Sequence, residues 1–351
     1  MGLPTVDVAV PCYRYGAMLP TAVRSVLDQE GVEVRVRIID DASDDGSADV
    51  ARELAAQDPR VSVVVHEQNQ GHIKTFTEGV IDFPTAKYTV LMSADDALTR
   101  GSLQRATALM ESHPNVVLVY GDAIDWFGEE PLPPARLAGR PVIHSGQDWL
   151  RASFARGANV VPSPTAVTRT SVQKVVGGYD PALLHTSDLE MWLRMATHGD
   201  VGYIAGADQA YCRGHEQNMS VRYEETDGGV RDLQMRRDAF LSALRKGEGR
   251  IAEPEKLERT VRRKLASEAL LRVARAYDKG RHDPAAEELL IGFARETVDD
   301  LRTLPQWYPL RLRQRLGPAR AAKAGVLATP PAAVRKLRQI ALDKRTALRG
   351  I

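Results

Sequence analysis

The stretch Tyr88-Thr89-Val90-Leu91-Met92-Ser93-Ala94-Asp95-Asp96 decides the fold. Its first five residues form a short apolar run of the kind that a strand covered on both faces requires. The run closes on two adjacent carboxylates. In open α/β sheets ligands bind beyond the carboxyl ends of the strands, and a hard divalent cation with a phosphate-bearing substrate needs oxygen ligands there. Two further runs point to the same edge. Thr5 to Val10 ends at Pro11-Cys12-Tyr13, and Val34 to Ile39 enters the carboxylate-rich turn Asp40-Asp41-Ala42-Ser43-Asp44-Asp45-Gly46-Ser47. Three strand ends thus carry polar groups toward one crevice.

Outward from these ends, strands are expected at 5–10, 34–39, 61–65, 88–92 and 116–120, alternating with helices over Met18 to Asp28, Ser47 to Gln57, His72 to Phe83 and Ser102 to Ser112. The alternation predicts βαβ units and a parallel sheet, and Ser47 is the expected N-cap of its helix. Residues 126–145, rich in Pro and Gly, read as a loop over the crevice. A less regular half follows: a strand over Pro164 to Thr168, a short helix over Thr170 to Val176, a helix over Ser187 to His198 and two short strands within 201–213. After about Val230 the pattern is helical, with Arg231 to Lys246, Pro254 to Gly280 and Pro284 to Leu304 separated by Gly-containing breaks. The expected organisation is an α/β domain at 1–225, a helical region at 226–304 and a basic, partly helical tail at 305–351.

Composition narrows the function classes. With 351 residues, 43% hydrophobic and 26% charged, the chain suits one large α/β domain and a smaller appendage. A net charge of +1 argues against nucleic-acid binding by the chain as a whole. Two cysteines, Cys12 and Cys212, are too few for a disulfide framework, so a reducing, cytoplasmic compartment is expected. Nothing at the N-terminus resembles a signal peptide, and no apolar run approaches the roughly 20 residues of a membrane span. From Thr303 to Ile351 eleven Lys and Arg face one acid, Asp343. That imbalance makes the tail a candidate for a solvated extension or for peripheral contact with the anionic inner face of a membrane. A scaffolding or homodimer role for the appendage stays open. There is no Gly-x-Gly-x-x-Gly turn after the first strand, against a dehydrogenase, and no Gly-rich N-terminal loop with Arg and Lys, against a sugar-nucleotide pyrophosphorylase.

Seven segments in order carry a family resemblance: Val8-Ala9-Val10-Pro11-Cys12-Tyr13, Ile38 through Ser47, Asn69-Gln70-Gly71, Ser93-Ala94-Asp95-Asp96, Gly177-Gly178-Tyr179-Asp180, Ser187-Asp188-Leu189-Glu190-Met191-Trp192-Leu193-Arg194, and Tyr211-Cys212-Arg213-Gly214-His215. Over roughly residues 4–220 the chain resembles family 2 glycosyltransferases of the GT-A fold, a Rossmann-like mixed sheet flanked by helices. A C-terminal helical appendage follows it. The resemblance implies an inverting transfer of a sugar from a UDP- or dTDP-sugar to an acceptor hydroxyl of a polysaccharide, lipid-linked sugar or small molecule, assisted by Mn2+ or Mg2+. It implies a metal ligand at Asp96, with Asp95 nearer the ribose, and a second metal ligand at His215. Asp41 is implied to accept a bond from the imide N–H of the base, with Pro11 and Tyr13 against the base. Lys74, His72 and Arg213 are weaker candidates for the diphosphate. Asp188, opening its helix, is the candidate general base, with Glu190 as the alternative if the helix is rotated. Gly177-Gly178 is expected to permit close approach near the sugar. Ser93 departs from the pattern, since many relatives carry a further Asp there. Trp126 is a candidate sugar-stacking ring, whereas tryptophans such as Trp149 and Trp192 are mostly core residues. A catalytically silent nucleotide-sugar binder is the alternative to an enzyme.

Overall fold

The computed structural model describes residues 2–127, 132–215, 227–328 and 346–351. The chain divides into two compact units: Met1–Leu150 with Asn159–His215 and Ala347–Ile351, and Arg151–Ala158 with Glu216–Thr346. The first begins with β1 (Thr5–Cys12), α1 (Leu19–Leu27), β2 (Glu33–Asp40), α2 (Ser47–Gln57), β3 (Val61–Val65), α3 (His72–Thr77) and β4 (Tyr88–Leu91). The four strands pair in parallel in the order β3-β2-β1-β4, as the alternation requires. Their residues Val6, Val8, Val10, Val36, Ile38 and Val90 are almost completely buried, which is why these runs are apolar on both faces. The side chain capping α2 is not Ser47. Gly46, at φ +86°, stands at the N-cap, while the Ser47 hydroxyl accepts the Gly16 N–H (2.8 Å) and faces Asp45. Gly16 is required for this approach, because a Cβ there would lie 2.8 Å from the Ser47 Cα. After α3 the helix loosens into a π-helical turn, Glu78–Asp82.

The second half of the sheet is mixed. β5 (Ala97–Leu98), α4 (Ser102–Ser112), β6 (Val116–Trp126), β7 (Arg140–His144), α5 (Gly146–Arg156), β8 (Val167–Arg169), α6 (Thr170–Val176), α7 (Ser187–Ala196) and β9 (Asp200–Arg213) follow in sequence. The spatial order continues from β4 through β8, β6 and β9 to β5, with β7 also on β9. β8 is antiparallel to β4 and β6, while β6 and β9 are parallel. Several elements differ from expectation: β5 was not foreseen, and the strand expected over Pro164 to Thr168 is a 3-10 turn, Ser163–Thr165, followed by the short β8. The stretch 126–145 contains β7, an edge strand antiparallel to β9. α5 fills a region for which no element was expected. Residues 201–213 form one strand rather than two: Gly206, at φ +88°, turns the backbone, and the register steps from Gly121↔Ile204 to Asp122↔Asp208 across the bulge.

The last residues return to this unit. The helical turn 346–349 presents orphan carbonyls, and side chains of the sheet satisfy four in succession: Tyr203 OH donates to Ala347 O (3.3 Å), Arg140 Nη2 to Leu348 O (3.3 Å), His144 Nε2 to Arg349 O (2.7 Å) and Tyr120 OH to Gly350 O (2.8 Å). Gly350, at φ +79°, has no room for a Cβ, which would meet Tyr203 Cγ at 2.6 Å.

The other unit holds α8 (Val230–Lys246), α9 (Pro254–Asp278), α10 (Pro284–Thr297), α11 (Trp307–Leu316) and α12 (Pro318–Ala328). α10 ends at Thr297, not Leu304, and a single 3-10 turn, Leu301–Thr303, follows. Part of the expected tail is therefore folded into this unit: Leu310 is buried, and buried Arg313 pairs with Asp278 (Nε–Oδ1 2.8 Å). The helical pattern expected over 332–349 lies largely outside the described residues. Among the described residues, no helix is long and apolar enough to cross a membrane.

Candidate active site

Parallel pairing aligns the ends of β1, β2 and β4 at one edge: Pro11 opposes Ile39 and Cys12 opposes Asp40, while the residue after β4, Met92, donates its N–H to Ala9 O (3.0 Å). Pro11 is buried and Tyr13 is exposed. Between them and the β2 turn, Arg14, at φ +61°, donates its N–H to Ser43 Oγ (2.9 Å) and grips Asp44 with two bonds of 2.7 Å.

Asp41 is placed otherwise than the resemblance implied. Its buried carboxylate takes the Gln70 and Gly71 N–H groups (2.8 and 2.9 Å) and faces His66 Nδ1 (2.8 Å). The Asn69 amide also donates to the Asp41 carbonyl (3.2 Å). This carboxylate thus organises the Asn69-Gln70-Gly71 turn from below. His66 reaches Glu78 through Nε2 (2.9 Å). Only an imidazolium can donate to two carboxylates at once. Burial opposes that charge, but the bonds to Asp41 and Glu78 outweigh it and raise the His66 pKa. Sequence reasoning missed His66, whose only signal is its position directly after β3.

The β4 end gathers the strongest electrostatics. Asp95 Oδ1 is buried without a hydrogen-bond partner among the described residues, and Oδ2 lies 3.0 Å from His215 Nε2. Asp96 Oδ1 accepts the Arg213 N–H (3.1 Å), and Arg213 Nε donates to the Asp95 carbonyl (3.3 Å). Burial and the neighbouring Asp95 charge push the Asp96 carboxyl well above its ordinary range. The structure thus brings Asp95, Asp96 and His215 together, with His215 against Asp95 rather than Asp96. Two carboxylates and an imidazole, one oxygen orphaned, fit a hard divalent cation. No group of three or more His, Cys, Asp or Glu among the described residues is arranged to hold an ion by itself.

Trp126 departs from the sugar-stacking expectation: it is 5% exposed, packed with Ala97 and Tyr211, and capped by the Arg213 guanidinium 3.8 Å from its ring centroid. Trp149 and Trp192 are core residues, as expected. Lys74 is exposed on α3. His72 is committed elsewhere, its Nε2 lying 2.8 Å from the Leu184 carbonyl. The close approach at Gly178 is to α3, since a Cβ there would lie 2.3 Å from Thr77 Cγ2.

Asp188 sits in the first turn of α7. Its Oδ1 accepts the Leu189 N–H (2.7 Å), and its Oδ2 accepts Asn159 Nδ2 (2.8 Å) and Ser163 Oγ (3.1 Å). Burial raises its pKa. Glu190 is fully buried and bound to Arg194 Nε (2.9 Å). Arg194 in turn donates to the Val176 and Gly178 carbonyls. That engagement removes Glu190 from contention as a base.

With this geometry in place, comparison with known proteins is informative. Residues 7–148 match the family model described as Glycosyl transferase family 2. Over these residues the chain is similar to family 2 glycosyltransferase domains. A protein of Sinorhizobium fredii, itself uncharacterised, is 29% identical over 54% of this chain and 20% of its own length. An uncharacterised glycosyltransferase of Nostoc sp. is 31% identical over 34% of this chain and 37% of its own. The chain thus spans less than half of either relative. TarS 1-349 of S. aureus, solved with UDP-GlcNAc, superposes with a TM-score of 0.59 at 13% identity, over 89% of this chain and 92% of that one. A mannosyltransferase of Pyrobaculum calidifontis, solved with GDP-Man and Mn2+, gives 0.54 at 18% identity, over 94% and 89%. The fold is therefore GT-A.

Proposed function

We propose that the protein transfers a sugar from a nucleotide diphosphate donor to an acceptor hydroxyl with inversion at the anomeric carbon. The observation that carries this reading is the Asp95–Asp96 pair, where an orphaned carboxylate oxygen and a carboxyl pushed upward by burial and by its neighbour present a deficit of positive charge at the end of β4. Asp95, Asp96 and His215 would hold Mn2+ or Mg2+ together with donor phosphate oxygens. A cation so held neutralises charge gathering on the departing diphosphate. Asp188 takes the acceptor hydroxyl proton as the oxygen bonds to the anomeric carbon and the bond to the diphosphate breaks. Pro11 and Tyr13 line the base, and exposed Lys74 approaches the diphosphate.

A UDP- or dTDP-sugar is the donor that the resemblance favours. Asp41, with three N–H partners, acts on the base mainly by fixing the 69–71 turn. Complexes of structural neighbours with UDP-GlcNAc and with GDP-Man support the nucleotide-sugar class. A thermal-shift screen of nucleoside diphosphates with and without Mn2+ or Mg2+ tests the reading, because ligand binding raises stability by mass action. UDP or dTDP should stabilise the protein in a metal-dependent way, and the product's anomeric coupling constant should show inversion. No stabilisation by any nucleoside diphosphate, or retention of configuration, would refute it.

A further inference from the structure

The sequence 159–163 carries no segment of the family resemblance, yet the structure places two of its side chains on the proposed base. We infer that Asn159 and Ser163 are positioning residues that orient the Asp188 carboxylate and keep it ionised; this deepens, and rests on, the reading of Asp188 as the base. Three features fix their direction. Asn159 Oδ1 accepts the Val161 N–H (3.1 Å), so the amide's NH2 end must be the one on Asp188 Oδ2. Ser163 starts a 3-10 turn, Ser163–Thr165, between Pro162 and Pro164, and Thr165 Oγ1 donates to Pro162 O (2.7 Å). Such a turn has little freedom to withdraw the hydroxyl. Both donors converge on one oxygen, while the other takes the Leu189 N–H of the rigid α7.

The choice of neutral donors has a chemical consequence. A Lys or Arg beside Asp188 would depress its pKa by one to three units and weaken it as a base. Among the described residues the carboxylate forms no ion pair with either. Burial drives its pKa up, and the Leu189 N–H bond, then the Ser163 bond and the nearby charge of His185, draw it partly back. Tyr179, facing it from beyond α6, stays neutral because burial raises its own pKa. An amide and a hydroxyl therefore hold the carboxylate in place, and the hydroxyl offsets part of the burial effect, without quenching its basicity.

The test is the pH dependence of transfer in Asn159→Ala and Ser163→Ala, with Ser163→Thr as the conservative rescue and Asp188→Asn in parallel. Loss of a hydrogen bond to a charged group should move the acidic limb of kcat/KM upward by about one unit. It should also lower kcat by about tenfold while leaving the Kd for UDP within twofold, because misplacement affects the step rather than donor binding. Ser163→Thr should restore both. An acidic limb unmoved in both alanine variants overturns the inference, as does a loss confined to UDP affinity. If Asp188→Asn itself retains transfer, the underlying reading fails instead, and the two failures are distinguishable in one set of measurements. Thermal melting of each variant checks that it is folded, and Ser163→Thr keeps the test decisive should Ser163→Ala not fold.

Discussion

Asp96 at the end of β4 and Asp188 at the start of α7 are the same chemical group, both raised in pKa by burial, and on the proposed reading their neighbours assign them different work. Asp96 has another carboxylate beside it and few donors, a deficit that a cation would fill. Asp188 has two neutral side-chain donors and a backbone N–H, an arrangement complete for an ionised carboxylate. On the proposed reading, what surrounds a partly buried acid, more than how deeply it is buried, would separate a metal site from a proton acceptor.

The sharpest way to break this contrast is Asp188→Asn, which should lower transfer by a factor on the order of 10²–10⁴ while nucleotide affinity changes by less than about twofold. Steady-state transfer assays and calorimetric nucleotide titration read the two arms; transfer within about threefold of the parent removes Asp188 as base. Next, Asp96→Ala should abolish the metal-dependent part of nucleotide affinity, a loss on the order of 100-fold in Kd with Mn2+ present and little without it. Equal affinity in the parent and variant with Mn2+ would dissolve the distinction between the sites. His215→Ala should weaken the same dependence by about tenfold, less than Asp96→Ala; an effect equal to that of Asp96→Ala would make His215 a full partner. The smallest effect concerns pH. Because the Asp188 pKa is raised, its carboxylate is present only above that raised value, so transfer should decline on acidification before the ordinary carboxylate range near 4 is reached. A pH profile flat down to about 4.5 would show Asp188 to be an unperturbed acid.

How much of this could be read in the chain varies with burial. β1 to β4 were legible because two-sided coverage leaves continuous apolar runs, and the motif carboxylates lie directly after them. β7 was hidden because Arg140-Pro141-Val142-Ile143-His144 is a partly exposed edge strand with a proline, which composition assigns to a loop. The bulge at Gly206 divided β9 into two apparent strands. In the candidate site, motif order singles out Asp95, Asp96 and Asp188, and their neighbourhoods were not legible. His66 lies 25 residues from Asp41, and Asn159 lies 29 from Asp188, separations at which only folding reveals a partner. Tail composition misled for a related reason: Arg313 counted as surplus charge although Asp278, 35 residues earlier, neutralises it.

The four carbonyls seated by Tyr203, Arg140, His144 and Tyr120 also impose a timetable on folding. Tyr120 and Gly350 are 230 residues apart in sequence, and the socket is complete only once β9, ending at Arg213, has been made, so a growing chain would hold it unfilled for roughly 7–27 s of synthesis. Loop-closure entropy grows only slowly with such a separation, whereas non-local contacts of this kind retard folding. The unit that carries the candidate site is therefore closed by residues that emerge after the whole helical unit, making its final ordering a late event in the protein's biogenesis.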